Sequence, residues 1–163
     1  MATANGLFEA HLAVANLDVS IAFYRDALRL QLAHVTSDRR AAFFWIGARG
    51  RAMLGLWSAG SAPQKITTHI AFGATLDDVL VAPNALRSAG IDPLDFDARP
   101  ADEAVVIGWM PAACVYFRDP DAHLLEYVAI LPDAPEPEYG VVSWSEWQRR
   151  RRERTSPAAS GAR

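Results

Sequence analysis

The sequence predicts an α+β fold made of two copies of one unit, each a strand, a helix and then three short strands. The chain has 163 residues, which suits one domain or two very small halves that share a core. Residues 6–131 repeat themselves at an offset of 58 residues. Within each copy, apolar residues recur first at strand spacing and then at helical spacing. These three observations together predict the duplicated fold.

The two copies span about residues 6–58 and 66–131, and they match in short stretches rather than throughout. Each copy opens with a histidine, an apolar residue, an alanine and another apolar residue, with His11 in the first copy and His69 in the second. Each copy then has an amphipathic stretch that ends in Ala-Leu-Arg. The matching order predicts that the two histidines occupy equivalent positions in equivalent strands.

In the first copy, a strand over residues 8–15 precedes the predicted helix. Asp18 can act as the N-cap, because its side-chain oxygen can accept a backbone N–H of the first turn. Ile21, Tyr24 and Leu28 recur at helical spacing and form one apolar face. Turns that are polar or contain glycine separate three further strands, at residues 31–36, 41–46 and 52–57.

The second copy repeats this order, beginning with a strand at residues 67–73. Its helix is predicted over residues 77–89 and closed by Gly90, although Pro83 interrupts it and could shift its start. Residues 99–111 form an insertion that the first copy lacks. Three strands complete the copy, at residues 92–97, 113–118 and 124–130.

A proline turn and an unusual carboxylate distinguish the end of the second copy. Residues 119–122, Asp-Pro-Asp-Ala, predict a turn, because proline fixes φ and aspartates bond to nearby backbone. The turn joins two strands as a hairpin, and Glu126 falls within an otherwise apolar and aromatic strand. An inward carboxylate must be paired, hydrogen-bonded or metal-bound. Strand alternation permits either face, so the pattern leaves open whether Glu126 points inward or to solvent.

Two segments follow the duplicated body. Residues 132–148 form an arm, in which a proline-rich connector leads to Trp144 and Trp147, and these side chains pack on the body or on a second subunit. Residues 149–163 carry six Arg and one Glu, a net charge of +5, and predict a basic tail that is disordered or a frayed helical end. The rest of the chain has a net charge of −8.

The composition argues against several classes of function. The acidic body argues against nucleic-acid binding, and no apolar run approaches the roughly 18 residues of a membrane span. The start of the chain has no pattern of a secretory signal, so a cytoplasmic location is expected. A single cysteine, Cys114, excludes an intramolecular disulfide and a cysteine-rich zinc site, and we expect it to be a small buried hydrophobe.

Residues 7–130 resemble the vicinal oxygen chelate superfamily, which includes glyoxalase I, bleomycin-resistance proteins, fosfomycin-resistance enzymes and extradiol dioxygenases. The resemblance rests on His11-Leu-Ala-Val with the Phe-Tyr-Arg-Asp-Ala-Leu of residues 23–28, and on His69-Ile-Ala-Phe. Its most specific motif is Tyr-Phe-Arg-Asp-Pro-Asp-Ala-His-Leu-Leu-Glu, residues 116–126. The family usually has glycine at the positions of Arg29 and Ala122, and both departures lie in predicted turns.

The resemblance implies two βαβββ modules whose curved mixed sheets surround a cleft, and it implies a divalent metal ion held there by His11, His69 and Glu126. Two imidazoles and a carboxylate suit Mn, Fe(II), Zn, Ni or Co, and leave positions open for the oxygens of a small-molecule substrate. Glu126 is also the candidate base, and Tyr116 is a candidate donor to a developing oxyanion. The resemblance further implies a homodimer.

Departures from individual relatives narrow the expected chemistry. Gly55 stands where glyoxalase I has a glutamate ligand, and the histidine that extradiol dioxygenases have just upstream of Tyr116 is missing. Fosfomycin-resistance enzymes match in length and metal triad, although no clear basic phosphonate cluster is visible, whereas bleomycin-binding relatives generally lack the triad. We therefore expect a metal-dependent enzyme that catalyses isomerisation, ring-cleaving oxygenation or thiol addition. The alternative is metal-free sequestration of a small molecule such as a drug.

The sequence also bears on whether four further side chains are exposed or buried. His34 and His123 lie near predicted turns and are expected to be solvent-exposed. Trp57 and Trp109 could line the pocket or pack in the core, and the sequence favours neither.

Overall fold

A computed structural model describes residues 6–37, 40–58 and 67–155. The chain divides into two units, one of residues up to 69 together with 118–124, the other of residues 70–117 and those from 125 onward. Each unit is organised around one β-sheet, with four strands in the first sheet and five in the second.

The first unit contains one βαβββ module. Its sheet has the strand order β1-β4-β3-β2, in which β1 pairs with β4 in parallel and the other pairs are antiparallel. The elements are β1 (Glu9–Val14), α1 (Leu17–Ala22), a π-helical turn (Phe23–Ala27), β2 (Gln31–Val35), β3 (Ala41–Ile46) and β4 (Ala52–Ser58).

Helix α1 begins two residues earlier than predicted. Asn16, not Asp18, is the N-cap: its backbone is extended, with φ of −132°, and its side chain accepts the N–H of Val19 at 3.1 Å. Asp18 lies instead within the first turn, where a negative charge still favours the helix N-terminus. The predicted helix is confirmed, but its second half, Phe23–Ala27, widens into a π-helical turn.

The two faces of the first sheet differ in burial, because successive side chains of a strand point to opposite sides. One face is mostly buried and includes Phe44, whose ring contacts the buried ring of Tyr24 in the π-helical turn after α1. The opposite face is partly exposed, and we call it the His11 face. Its members are Glu9, His11, Phe43, Trp45, Gly55 and Trp57.

The second unit repeats the module and adds one strand. Its sheet has the order β5-β8-β7-β6-β9, so the first four strands repeat the order of the first sheet. The elements are β5 (His69–Gly73), α2 (Leu76–Ser88), β6 (Val105–Ile107), β7 (Ala112–Arg118), β8 (Leu124–Ile130) and β9 (Val141–Ser143). The prediction of an α+β fold with two βαβββ modules is therefore confirmed.

Helix α2 matches its predicted position closely. Thr75 is the N-cap and accepts the N–H of Asp78 at 3.2 Å. Pro83 lies within the helix without ending it, on the buried face. Gly90 follows the helix with φ of 75°, a left-handed conformation that glycine adopts without cost, so the predicted C-terminal glycine is confirmed.

The second strand of this copy was predicted in the wrong place. Residues 92–97 form no strand, and within them only Leu94 makes isolated bridges, one to Pro100 and one to Tyr116. The chain turns there because the Asp95 carboxylate accepts the backbone N–H groups of Asp97 and Arg99, each at 2.9 Å. The strand that completes the module is β6, which lies inside the segment predicted as an insertion.

The C-terminal arm packs on its own body. Strand β9 pairs antiparallel with β6 and extends the second sheet. Trp147 is completely buried, and its ring meets the ring of Tyr139 at a centroid distance of 5.8 Å. Of the two packing modes that the sequence left open, the structure therefore shows the one within a single chain.

Of the two alternatives predicted for the basic segment, disorder or a helical end, residues 149–155 show the helical end. Helix α3 (Trp144–Thr155) includes residues 149–155, and residues 156–163 lie outside the described residues. Ion pairs stabilise this helical end, because Glu146 pairs with both Arg149 and Arg150, while Arg154 pairs with a glutamate of the connector. None of the described helices combines the length and the apolar character needed to cross a membrane.

Candidate functional site

His11 lies on β1, at an edge of the first sheet, with 48% of its side chain exposed. Its ring lies over Gly55, which is its register partner on β4. A β-carbon added at Gly55 would lie 2.6 Å from Cδ2 and 3.0 Å from Nε2 of His11. The ring therefore occupies the space that any side chain at position 55 would need.

Aromatic rings surround the His11 imidazole on the same face. The Phe43 ring meets it edge-on at a centroid distance of 6.1 Å, and the Trp57 ring is tilted at 5.8 Å. The two aromatic rings also contact each other at 6.2 Å. Trp57 is 45% exposed and Trp109, in the second unit, is 62% exposed, so neither is a core residue. Trp57 is therefore available to a ligand bound on the His11 face.

Glu9 also belongs to the His11 face, and the sequence analysis did not single it out. Its Oε1 lies 3.0 Å from Nε2 of His11, and 35% of its side chain is exposed. Its position two residues before His11 puts both side chains on one side of the strand. That spacing was the available signal, but an acidic residue near the start of a strand usually indicates only a solvated edge.

His69 and Glu126 lie on neighbouring strands of the second sheet. His69 is the exposed first residue of β5, and Glu126 lies inside β8, the strand next to β5. Glu126 is only 6% exposed. The alternative that the sequence left open is thereby decided, because this carboxylate points inward.

Two buried side chains of β7 contact the Glu126 carboxylate. The thiol of Cys114 and the hydroxyl of Tyr116 both interact with it, and the thiol donates its hydrogen to the backbone carbonyl of Ala112 at 3.6 Å. Burial, together with the nearby Glu126 carboxylate, raises the pKa of Cys114 and that of Tyr116, so both groups are neutral at physiological pH. Cys114 is buried as predicted, and it also lies beside the candidate ligand Glu126.

The three predicted metal ligands do not form one cluster in the part of the chain that the structure describes. Among the described residues, no three or more His, Cys, Asp or Glu side chains are placed so that they could hold a metal ion. His11 belongs to the first unit and Glu126 to the second, and His69 is the last residue of the first unit and the first residue of β5. The assignment of these three residues as metal ligands therefore stays a prediction.

The donors themselves suit a divalent ion. His11 offers an accessible imidazole in a cradle that a β-carbon would fill. A carboxylate has about four lone-pair positions, so Glu126 can still bind a metal while it interacts with Cys114 and Tyr116. Neighbouring hydrogen-bonding groups orient metal-binding carboxylates in many proteins.

His123 is buried rather than solvent-exposed, so its predicted environment is wrong. It is 1% exposed, and its Nε2 donates to the carbonyl of Ala13 at 2.7 Å. Its Nδ1 accepts the backbone N–H of Thr68 at 3.1 Å, which places the proton on Nε2. Within the first unit, these bonds attach the residues after the Asp-Pro turn to β1 and to Thr68. His34 is exposed on β2, as predicted.

Asp119 is the buried centre of the same turn. Its carboxylate accepts the Tyr24 hydroxyl at 3.0 Å and the backbone N–H groups of Asp121 and His123, each at 2.9 Å. Ala122, the last residue of the Asp-Pro-Asp-Ala turn, has φ of 67°, in the left-handed region. The Asp-Pro-Asp-Ala-His part of the motif, residues 119–123, is therefore largely structural, and Tyr116 and Glu126 are the candidate chemical groups of the motif.

Comparisons with known proteins agree with this arrangement. A sequence profile described as the Glyoxalase/Bleomycin resistance protein/Dioxygenase superfamily matches residues 6–127. A metallothiol transferase FosB from Shouchella clausii (strain KSM-K16) is 28% identical over 130 residues, covering 75% of this chain and 78% of the relative.

Two solved structures support the same relationship. An integron cassette protein, HFX_CASS4, from the mobile metagenome of the Halifax Harbour sewage outfall is 28% identical, with a TM-score of 0.64 over 78% of this chain and all of that one. The fosfomycin resistance protein FosX of Listeria monocytogenes, solved with Mn(II) and sulfate, is 23% identical, with a TM-score of 0.56 over 80% of this chain and 94% of that one. With its two βαβββ modules and matched motifs, the chain belongs to the glyoxalase/bleomycin resistance protein/dioxygenase superfamily.

Proposed function

We propose that this protein is a divalent-metal-dependent enzyme whose small substrate binds the metal through two oxygens. His11, His69 and Glu126 would hold the ion, which is one of Mn, Fe(II), Zn, Ni or Co. The observation that carries the proposal is the inward position of Glu126 on β8, the strand next to the one that carries His69. Relatives named as a metallothiol transferase and as a Mn(II) complex support the presence of a metal.

Other roles in the reaction are assigned to individual residues of the chain. The bound ion would supply a Lewis acid to the substrate oxygens. Tyr116 keeps its proton, since burial raises its pKa, so its hydroxyl can donate a hydrogen bond to an oxygen that gains charge. Phe43 and Trp57 provide an apolar wall beside His11. Glu126 is the candidate base of the reaction.

Among the three expected reactions, we propose the addition of a small thiol to the bound substrate. The 28% identical relative carries the name of a metallothiol transferase and aligns with three quarters of the chain. The lyase alternative needs a carboxylate at position 55, and the His11 ring occupies that space. The dioxygenase alternative lacks the histidine expected shortly before Tyr116.

A screen of metal-loaded protein tests this function. We expect consumption of glutathione or cysteine with fosfomycin as the electrophile, loss of turnover in EDTA, and recovery on adding Mn(II). Tyr116→Phe should lower the turnover number, whereas Tyr127→Phe, a matched change on β8, should not. Turnover of the methylglyoxal–glutathione adduct or of catechol in place of thiol addition would contradict the proposed reaction.

The exposed aromatic rings favour a second candidate, metal-free sequestration of a planar small molecule. Trp57 is nearly half exposed and touches both His11 and Phe43. In this case, planar cationic ligands would quench tryptophan fluorescence equally with and without EDTA, and Trp57→Phe would remove the change. Binding that requires added metal would exclude this candidate.

We also propose that the protein forms a homodimer. Strands β1 and β5, which carry the two histidines, each lie at an edge of their sheet, and such edges readily pair with another chain. Light scattering should give twice the mass of one chain. A monomer at working concentration would contradict the dimer.

A further inference from the structure

We propose that Glu9 is an additional ligand of the metal ion that His11 binds, so that strand β1 contributes both an imidazole and a carboxylate. This inference rests on the proposed function, because it takes the metal as present. It adds a residue outside the His11, His69 and Glu126 set. It arises from the geometry of the His11 face.

The spacing of the two donor atoms suits one ion. Glu9 Oε1 lies 3.0 Å from His11 Nε2. Two ligands at right angles, each about 2.1 Å from an octahedral ion, are separated by about 3.0 Å. An ion can therefore take the place of the hydrogen between these atoms without a large movement of either side chain.

The pair is accessible and partly preorganised. About half of the His11 side chain and a third of the Glu9 side chain are exposed, so an ion can approach both. The rings of Phe43 and Trp57 limit where the imidazole can turn, and Gly55 gives it room against the strand. Ligands held in place before binding lose less entropy when the ion arrives.

The backbone register explains why a carboxylate would come from β1. His11 is the register partner of Gly55, and Glu9 is the partner of Met53 in the parallel pair of β1 and β4. The His11 ring excludes a side chain at position 55. Glu9 supplies a carboxylate on the same face, beside the ring, from the strand that already carries the histidine.

A different role for Glu9 has to be separated by experiment. Glu9 could hydrogen-bond His11 Nε2 while the ion binds the other ring nitrogen, and the carboxylate would then only orient the ligand. Removing such an orienting partner also weakens metal binding, typically about 10–100-fold. Affinity alone cannot distinguish the two roles, but the number of waters bound to the ion can, because losing a ligand opens a position to water.

The experiment uses Mn(II) with the full-length protein. Electron paramagnetic resonance of free Mn(II) gives the affinity, and water-proton relaxation gives the number of waters on the bound ion. We expect Glu9→Ala to weaken Mn(II) binding at least as much as the loss of an orienting partner, about 10–100-fold, and to add one water. Asp26→Asn is the matched control, an exposed carboxylate of the same unit paired with Arg25, and it should change neither quantity.

The outcomes separate this inference from the proposed function. Stoichiometric Mn(II) in the wild type with an unchanged water number in Glu9→Ala overturns the role of Glu9 as a ligand, whether or not affinity falls. Loss of Mn(II) in His69→Ala and Glu126→Gln would then still support the proposed function. A wild-type protein that binds no divalent ion overturns both. Circular dichroism and the thermal transition of Glu9→Ala, compared with Asp26→Asn, verify that the variant is folded.

Discussion

Replacing Gly55 by alanine should disturb His11 while leaving the fold intact. The added β-carbon would lie 2.6 Å from His11 Cδ2, whereas ordinary contacts begin near 3.4 Å, so the ring must move by about 0.8 Å or more. The same carbon would lie 3.2 Å from Phe43 Cε1, a contact that a small shift of that ring relieves. The His11 ring is therefore the group that has to move.

The expected magnitudes follow from that displacement. Functional ligands must be held within roughly 0.5 Å of their productive positions, so we expect the metal affinity to fall at least about tenfold, which is about 1.4 kcal/mol. Stability should change little, because alanine gains roughly 0.5–1 kcal/mol over glycine in a strand and the clash offsets this. In a His11→Ala background the clash with the ring is gone, so Gly55→Ala should then stabilise the protein by roughly 0.5–1 kcal/mol.

Urea unfolding of the wild type, Gly55→Ala, His11→Ala and the double variant gives the coupling energy between positions 55 and 11. Isothermal titration with Mn(II) gives the metal affinity. Gly73→Ala on β5 is the matched control, because a β-carbon there meets nothing within 4 Å. Wild-type Mn(II) affinity in Gly55→Ala, or equal stability effects with and without His11, would refute the idea that Gly55 makes room for the imidazole.

Three further predictions concern stability. Tyr24→Phe removes the hydroxyl bonded to the buried Asp119 carboxylate and should cost about 1.5–3 kcal/mol in urea unfolding. Ala122→Gly should stabilise the protein by about 1 kcal/mol in the same assay, because Ala122 has φ of 67°. The two arginines beside Glu146 lower the pKa of that carboxyl from 4.5 to about 2. The stabilisation that the ionised Glu146 gives to helix α3 is therefore present above about pH 4.5 and is lost as pH falls toward 2. Trp147 fluorescence of the wild type should change over that pH range, and Glu146→Gln should lack this change.

Each of these predictions has a control and a contradictory result. Tyr127→Phe removes a hydroxyl whose raised pKa comes from burial, and an equal cost there would contradict the role given to the Asp119 bond. Ala85→Gly on helix α2 should destabilise by about 1 kcal/mol, so a similar loss at Ala122 would contradict the backbone explanation. The same acid step in Glu146→Gln would show that another group controls helix α3.

The duplicated fold could be predicted because its signals are local. Apolar periodicity located β1, helix α2 and the strands around the Asp-Pro turn, and Gly90 ended its helix as expected. Strand β6 was missed because a three-residue strand has little periodicity of its own. It forms through pairing with β7 and β9, partners that the sequence did not identify.

The errors in the site have a similar cause. His123 looked like a turn residue, yet its burial depends on a bond to Ala13, which lies 110 residues earlier in the chain. The inward direction of Glu126 depends on how β8 lies beside Cys114 and Tyr116, which alternation alone leaves undecided. Glu9 gained significance only when its carboxylate was seen beside the His11 ring.

The most direct test of the central claim is the divalent metal content of the purified protein, measured by mass spectrometry after loading and dialysis. We predict stoichiometric metal in the wild type and in Asp26→Asn, and its loss in His69→Ala, His11→Ala and Glu126→Gln. Unchanged metal content in His69→Ala, or a folded wild-type protein that retains no divalent metal, would contradict the claim that this chain is a metal-dependent member of its superfamily.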